Sequence, residues 1–287
     1  MARLAISELT TFRWSFEEDV EHYRAAGVTA IGVWRPKLTD VGEAQGAQLL
    51  AEAGLVASSL QWAGGFTGSN GLSFEDSLVD ARQAICTTER LRAPCLIIHS
   101  GARGVHTQNH ARRLFRQALE KLLPLAEERG IKLALEPMSG NCGGEFTFVN
   151  CLDASLELVA EFSSPALGIA LDTYHWAHQP LLLERMTQLA PRLALVQLAD
   201  ARQPPQGEEK RCRLGDGNLP LKKIIEEVLA AGYDGFFEIE LIGEEIGLAS
   251  YHDVLKHSIK TFREWTAGMV TSPKAKAELR RPTVVHY

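Results

Sequence analysis

The strongest constraint in this sequence is a rhythm in which a short, continuously apolar run precedes or follows a longer amphipathic stretch, repeated along the whole chain. The runs cover residues 4–7, 30–34, 55–62, 95–99, 132–138, 167–172, 193–199 and 235–242. Unbroken apolarity, in place of alternation, marks strands buried on both faces, as parallel strands are. Helical stretches fill the intervals. Ser15 with Glu18 makes a capping box for a helix reaching residue 26, and residues 39–53 form a helix closed by Gly54. Ser73 with Asp76 opens the next, and residues 107–129 form a long one closed by Gly130. Further helices fall at 153–162, 181–189, 221–231 and 250–265.

Eight strand–helix units in about 265 residues match a closed (β/α)8 TIM barrel. A doubly wound sheet would carry a glycine fingerprint after the first strand, but that turn reads Glu8-Leu9-Thr10-Thr11. The length of 287 residues is therefore read as one α/β barrel domain over 1–267 and a C-terminal tail over 268–287. The tail holds Lys274, Lys276, Arg280 and Arg281 and is expected to pack on the barrel or stay disordered, not to act as a binding arm.

Composition removes several function classes. Thirty-six acidic against 30 basic side chains give a net charge of −6, which argues against a protein that neutralises phosphates along a nucleic acid. No apolar run approaches the roughly 18–20 residues needed to span a bilayer, and residues 1–14 lack a signal-peptide core. The five cysteines are odd in number and form no C-x-x-C pair, so a disulfide framework and a structural zinc site are not expected, and the chain is assigned to a reducing cytoplasm.

In a barrel the reactive groups stand at the C-terminal ends of the strands. Four adjacent apolar runs end with an oxygen ligand: Glu136 on the fifth, Asp172 on the sixth, Gln197 on the seventh and Glu240 on the eighth. Each has a plain reading alone: a salt-bridged strand end, a helix cap, a core amide. Glu238 lies two residues before Glu240 and so on the same side of its strand, deeper or paired with an arginine. Together the four point to a cation, because a buried carboxylate costs several kcal/mol unless paired or metal-bound. All-oxygen ligation favours one divalent ion of the Mg2+ or Mn2+ type, ahead of Co2+ or Zn2+.

These residues carry a resemblance. Ile97-Ile98-His99-Ser100-Gly101, Leu135-Glu136-Pro137, Asp172-x-x-His175, Gln197-x-x-Asp200, Arg211-Cys212-Arg213-Leu214-Gly215-Asp216-Gly217 and Glu240 are similar to the xylose isomerase-like TIM barrel superfamily. That superfamily includes sugar and sugar phosphate isomerases, epimerases and endonuclease IV. The resemblance implies that Glu136, Asp172, Gln197 and Glu240 bind one divalent metal. It differs from the trinuclear nuclease: Gln61-Trp62 stands where a histidine would be expected, and Glu209 and Arg211 replace an Asp and a His. An arginine cannot ligate a cation, so a DNA-repair role is disfavoured. The glutamine on the seventh strand looks similar to the hydroxypyruvate isomerase-like and 3-dehydroshikimate dehydratase-like branches.

The implied activity is isomerisation or epimerisation of a small ketose, sugar phosphate or hydroxy-keto acid through a metal-stabilised enediolate. Glu136 and Glu240 act as the acid/base pair and His175 touches a substrate oxygen. Arg211 or Arg213 would bind a substrate hydroxyl or anion unless both belong to a solvated charge run; Trp62 and His99 would line the pocket. The alternative is a metal-dependent dehydratase, and a barrel that binds sugar without turnover stands behind it. The expected partners are a small carbohydrate or keto acid and a second copy of the chain in a homodimer, with no nucleic acid and no membrane. The segment 140–146 is glycine-rich enough for a lid, and its Cys142 has no partner marking it as a nucleophile.

Overall fold

The computed structural model describes residues 2–269. The tail cations Lys274, Lys276, Arg280 and Arg281 lie outside the described residues. In chain order the elements are β1 (Arg3–Ser7), α1 (Phe16–Ala25), β2 (Ala30–Trp34), α2 (Arg35–Val41), α3 (Glu43–Ala53), β3 (Val56–Gly64), α4 (Phe74–Arg90) and β4 (Cys95–His99). There follow α5 (Gln108–Glu128), β5 (Lys132–Leu135), α6 (Leu152–Phe162), β6 (Leu167–Asp172), α7 (Thr173–Trp176), α8 (Met186–Leu189), β7 (Leu193–Leu198), α9 (Leu221–Ala230), β8 (Phe236–Ile239), α10 (Glu244–Leu248) and α11 (Tyr251–Thr266). The strands form a closed parallel barrel in sequence order, with β1 pairing β8 through Ala5 opposite Glu238 and Ile6 opposite Ile239. Among the described residues no helix is long and apolar enough to cross a membrane.

Two expected helices differ. The stretch read as one helix over 39–53 starts earlier, at Arg35, and is split by Gly42, whose φ of 86° no helix accommodates. The stretch 181–189 forms a 3-10 turn and the single turn α8, confined between Pro180 and Pro191. The capping box at Ser15 and Glu18 and the left-handed Gly54 closing α3 form as the sequence predicts.

The larger apolar core lies between the strands and the helices, and holds Ile6, Ile31, Leu96, Ile98, Leu133 and Leu171 among others. A smaller one fills the barrel interior with Ala5, Ala30, Ile97, Ala134, Ala170 and Leu195. Successive residues of a strand face opposite sides. Counting by two from these interior residues toward the strand ends reaches Ser7, His99, Glu136, Asp172 and Gln197. The inward row thus changes from small and apolar to polar within one pleat, and all of these polar side chains are buried.

Beneath the β1 end lies a second polar knot. Lys37 donates to the Asp19 carboxylate at 2.5 Å and to the carbonyls of Glu8 and Thr11 at 3.2 and 3.0 Å. Thr11 donates to the other Asp19 oxygen at 2.6 Å, and the backbone N–H of Trp34 donates to Glu8 at 2.6 Å. Burial pushes Asp19 up to about 6, against the pull of the Lys37 charge and its hydrogen bond. Lys37→Met leaves a buried carboxylate without its cation and should cost about 3–5 kcal/mol, read from the denaturant midpoint. An acid whose folded pKa is raised contributes stability below its unfolded pKa and loses it as pH climbs through the folded one. Wild type should therefore lose stability relative to Asp19→Asn as pH rises from about 4 to about 6. Parallel urea titrations across that window check it, and a flat difference rejects it.

Candidate active site

The pocket opens at the C-terminal ends of the strands and has a volume of about 190 Å3. Its polar wall is Gln61, His99, Glu136, Gln197, Arg211 and Glu240, with Glu208 at the side. Glu136 and Glu240 each lie one residue beyond their strands, and their backbone N–H groups still donate to the neighbouring strands, to Ile98 and Leu198. Those bonds fix the direction of both side chains toward the axis.

Each of these two carboxylates has one oxygen held and one left to the cavity. His99 Nε2 meets Glu136 Oε2 at 2.8 Å. Gln61 and Gln197 both donate to Glu240 Oε2 at 2.7 Å. Burial raises the Glu136 carboxyl, but the His99 hydrogen bond and charge, with the charges of His175 and Arg211, outweigh it and hold the group below its ordinary range. Burial dominates at Glu240 and pushes it up to about 8: the Arg211 charge opposes, and those of Glu136 and Asp172 add. Two neighbouring carboxylates are thus driven in opposite directions.

Asp172 ends β6 with no exposed surface. Its Oδ1 caps α7 by accepting the Tyr174 N–H at 2.8 Å, and its Oδ2 accepts from Arg211 Nη1 at 2.6 Å. The cap reading and the ion-site reading of Asp172 therefore share one side chain. Arg211 also donates to Glu208 at 2.7 Å and lies over the Tyr174 ring, 4.5 Å from its centroid. Burial opposes its charge, and Asp172, Glu208 and Glu240 outweigh burial, so it stays a cation. The Arg211 loop is held by Asp200, whose carboxylate accepts the N–H groups of Ala201, Gly215, Gly217 and Leu219. A Cβ on Gly217 would stand 2.1 Å from that carboxylate, so the close approach requires glycine.

Several buried polar atoms at the site have no hydrogen-bond partner: Gln197 Oε1, Glu208 Oε1, both ring nitrogens of His175, His99 Nδ1 and Arg211 Nε. Buried acceptors are normally satisfied, so orphans gathered at one site call for a ligand. Glu136, Asp172 and His175 each offer a ligand atom within 4.8 Å of one another, as do Cys142, His175 and Glu208. The donor set of carboxylates, an amide oxygen and an imidazole fits a divalent cation. Gln197 and Glu240 adjoin the cavity as a hydrogen-bonded pair.

Of the residues singled out from sequence, Trp62, His99, Glu136, Gln197, Arg211 and Glu240 line this cavity. Asp172 and His175 are buried against it through Arg211 and Glu208. Arg213 pairs instead with Asp216, beside His257. Gln61, at the position where a histidine was expected, and Phe146, from the segment read as a lid, also line the site, as do Glu208, Leu9, Met138 and Ile242, which sequence reading did not single out for it. Gln61 lies on β3, whose two register shifts defeat a period-two count; Glu208 and Phe146 come from loops, where no periodicity applies.

Comparison with known proteins agrees with this architecture. Over 165 residues the chain is 26% identical to the uncharacterized protein MJ1311 of Methanocaldococcus jannaschii, a match spanning 55% of this chain and 54% of that protein, about half its length. The solved structure of SMc04130 from Sinorhizobium meliloti 1021 superposes with a TM-score of 0.84 at 26% identity, covering 91% of this chain and 98% of that one. IolI with a bound zinc atom superposes at 0.79 and 17% identity (94% and 100% covered), and an L-ribulose 3-epimerase at 0.76 and 19% (100% of both). The family model for the xylose isomerase-like TIM barrel matches residues 20–265, and the chain belongs to that family.

Proposed function

We propose that this protein is a divalent-metal-dependent isomerase or epimerase acting on a small, unphosphorylated ketose. The observation that carries this reading is the pair of buried carboxylates, Glu136 and Glu240, delivered to one narrow cavity from strands separated by two others, each with one oxygen held and one free. A proton removed beside a carbonyl by one such group and returned by the other converts a ketose to its isomer or epimer without an organic cofactor. The zinc in IolI and the sugar substrate in the name of the L-ribulose 3-epimerase support the same reading.

Glu136, Asp172, Gln197 and Glu240 would hold the ion, with His175, whose ring nitrogens make no hydrogen bond, beside them. A divalent ion supplies Lewis acidity at the substrate carbonyl. The protein does the rest. His99 fixes Glu136, the two amides fix Glu240, and Arg211 neutralises Asp172 and Glu208 so that the carboxylates can share so small a space. Leu9, Trp62, Ile97, Met138, Phe146 and Ile242 supply the apolar part of the lining, which fits the C–H face of a sugar and excludes water.

The substrate's size and charge follow from the same wall. A cavity of about 190 Å3 lies below the roughly 300–1,000 Å3 that drug-sized ligands occupy, so the ligand is small. Arg211 is the sole Lys or Arg among the described lining residues, and both its terminal nitrogens are committed to carboxylates. The ion apart, a phosphate would meet no Lys or Arg with a free terminal nitrogen among the described lining residues, and this favours an unphosphorylated sugar over a sugar phosphate.

Three experiments decide the matter. Elemental analysis of protein purified without chelator should find about one divalent ion per chain; a metal-free protein with no affinity for Mn2+, Mg2+ or Co2+ sinks the ion site. Incubation with unphosphorylated ketoses in D2O should place deuterium on recovered sugar, whereas an ultraviolet-absorbing dehydrated product would mark a dehydratase. Glu240→Gln should cut deuterium incorporation by about 10²–10⁴-fold with the fold intact by circular dichroism. Undiminished exchange would mean that Glu240 is not one of the two proton carriers.

A further inference from the structure

We propose that Glu238 and Gln61 are positioning residues: a carboxylate buried under the pocket floor holds the Gln61 amide, and that amide sets the direction from which Glu240 faces the cavity. The inference rests on the ion-site reading above for its functional consequence, and on geometry for the positioning itself.

Glu238 has no exposed surface and lies inside the barrel. Its Oε2 accepts from the hydroxyls of Ser58 and Ser59 at 2.6 and 2.8 Å, and its Oε1 accepts from Gln61 Nε2 at 2.8 Å. The same Nε2 donates to Glu240 Oε2 at 2.7 Å. A primary amide has two N–H bonds, and here one goes to each acid. The other end of the amide is fixed too, since Ser7 Oγ donates to Gln61 Oε1 at 3.2 Å. No rotation or flip of the Gln61 amide keeps all three contacts.

The backbone makes room for this arrangement. A Cβ on Gly32 would stand 2.5 Å from the Glu238 carboxyl carbon, so the carboxylate occupies the volume that any other residue on β2 would fill. The interior layer also holds Ala5, Ala30, Ala134 and Ala170, so the carboxylate stands in otherwise small, apolar surroundings. A buried carboxylate there is instead an acceptor for three donors, and one of those donors reaches the pocket. Because Gln61 and Gln197 meet the same Glu240 oxygen, Oε1 is the atom left for the cavity.

The test uses the whole chain stripped of metal, with two readouts. The first is the side-chain amide resonances of Gln61 and Gln197 by NMR. In Glu238→Leu the Gln61 signals should shift and exchange with water while those of Gln197 hold; unchanged Gln61 signals overturn the proposal. The second is Mn2+ affinity by calorimetry. Gln61→Met and Glu238→Leu should each weaken Mn2+ binding about 10–100-fold, the usual cost of losing a group that orients a ligand. The double variant should be no weaker than either single one, because both break one chain of contacts. Glu238→Gln, whose amide oxygen still accepts from Gln61, should keep most of the wild-type affinity, and it is the variant to read if Glu238→Leu does not fold. Wild-type affinity in Gln61→Met, or additive losses in the double variant, overturn the proposal. Absence of Mn2+ binding by wild type would defeat the ion-site reading instead, and the NMR readout would still decide the positioning.

Discussion

One buried guanidinium makes this site compatible with a folded barrel. Glu136, Asp172, Glu208 and Glu240 converge where water is scarce, and their mutual repulsion would otherwise drive protonation or unfolding. Arg211 sits against three of them, bonded to two and stacked on Tyr174. Its planar fork reaches two acids at once, which a lysine would not do in the same volume. The cavity can therefore hold a dense set of acceptors and still exist before any ligand arrives.

The placement of Arg211 depends in turn on a carboxylate turned toward the backbone. Asp200 gathers four backbone N–H groups and pins the loop on both sides of the arginine. The Tyr174 hydroxyl donates to the Gly207 carbonyl at 2.6 Å and tethers the same loop to α7. The glycine-rich sequence from Gly215 to Gly217 reads as a flexible stretch, yet its freedom is used to bring the backbone onto Asp200. A motif that resembles a ligand-binding loop acts here first as a mount.

Much of this was legible in the sequence, for physical reasons that also mark where reading stopped. The barrel was legible because buried parallel strands leave continuous apolar runs and their helices leave caps. Glu136, Asp172, Gln197 and Glu240 stood out because a polar residue ending an apolar run has few explanations. Ser58, Ser59 and Gln61 did not, since small or amide side chains inside such a run look like tolerated exceptions. The β2–β3 register shifts between Ile31 and Gly32, skipping Ser58, and both serines then reach Glu238, a juxtaposition that a regular alternation does not predict. Glu208, Met138 and Phe146 come from loops or strand exits whose course is set by tertiary contacts. The broken helix at Gly42 was missed because one glycine inside a helical pattern is often tolerated.

The seam between β1 and β8 has a consequence for how the molecule comes into being. Thr10 donates to the Ile239 carbonyl at 3.1 Å and accepts the Leu241 N–H at 3.0 Å, so the first and last strands are stapled on either side of Glu240. These partners are 229 and 231 residues apart in the chain. Contacts of such separation form late, after most of the loop-closure entropy has been spent. A chain emerging from the ribosome therefore carries Glu136 and Asp172 for the whole time that β8 is unmade, with β1 and β7 as open edges able to pair with other chains. Glu240 enters the pocket lining only with the strand that closes the ring, so the pocket and the barrel are completed together.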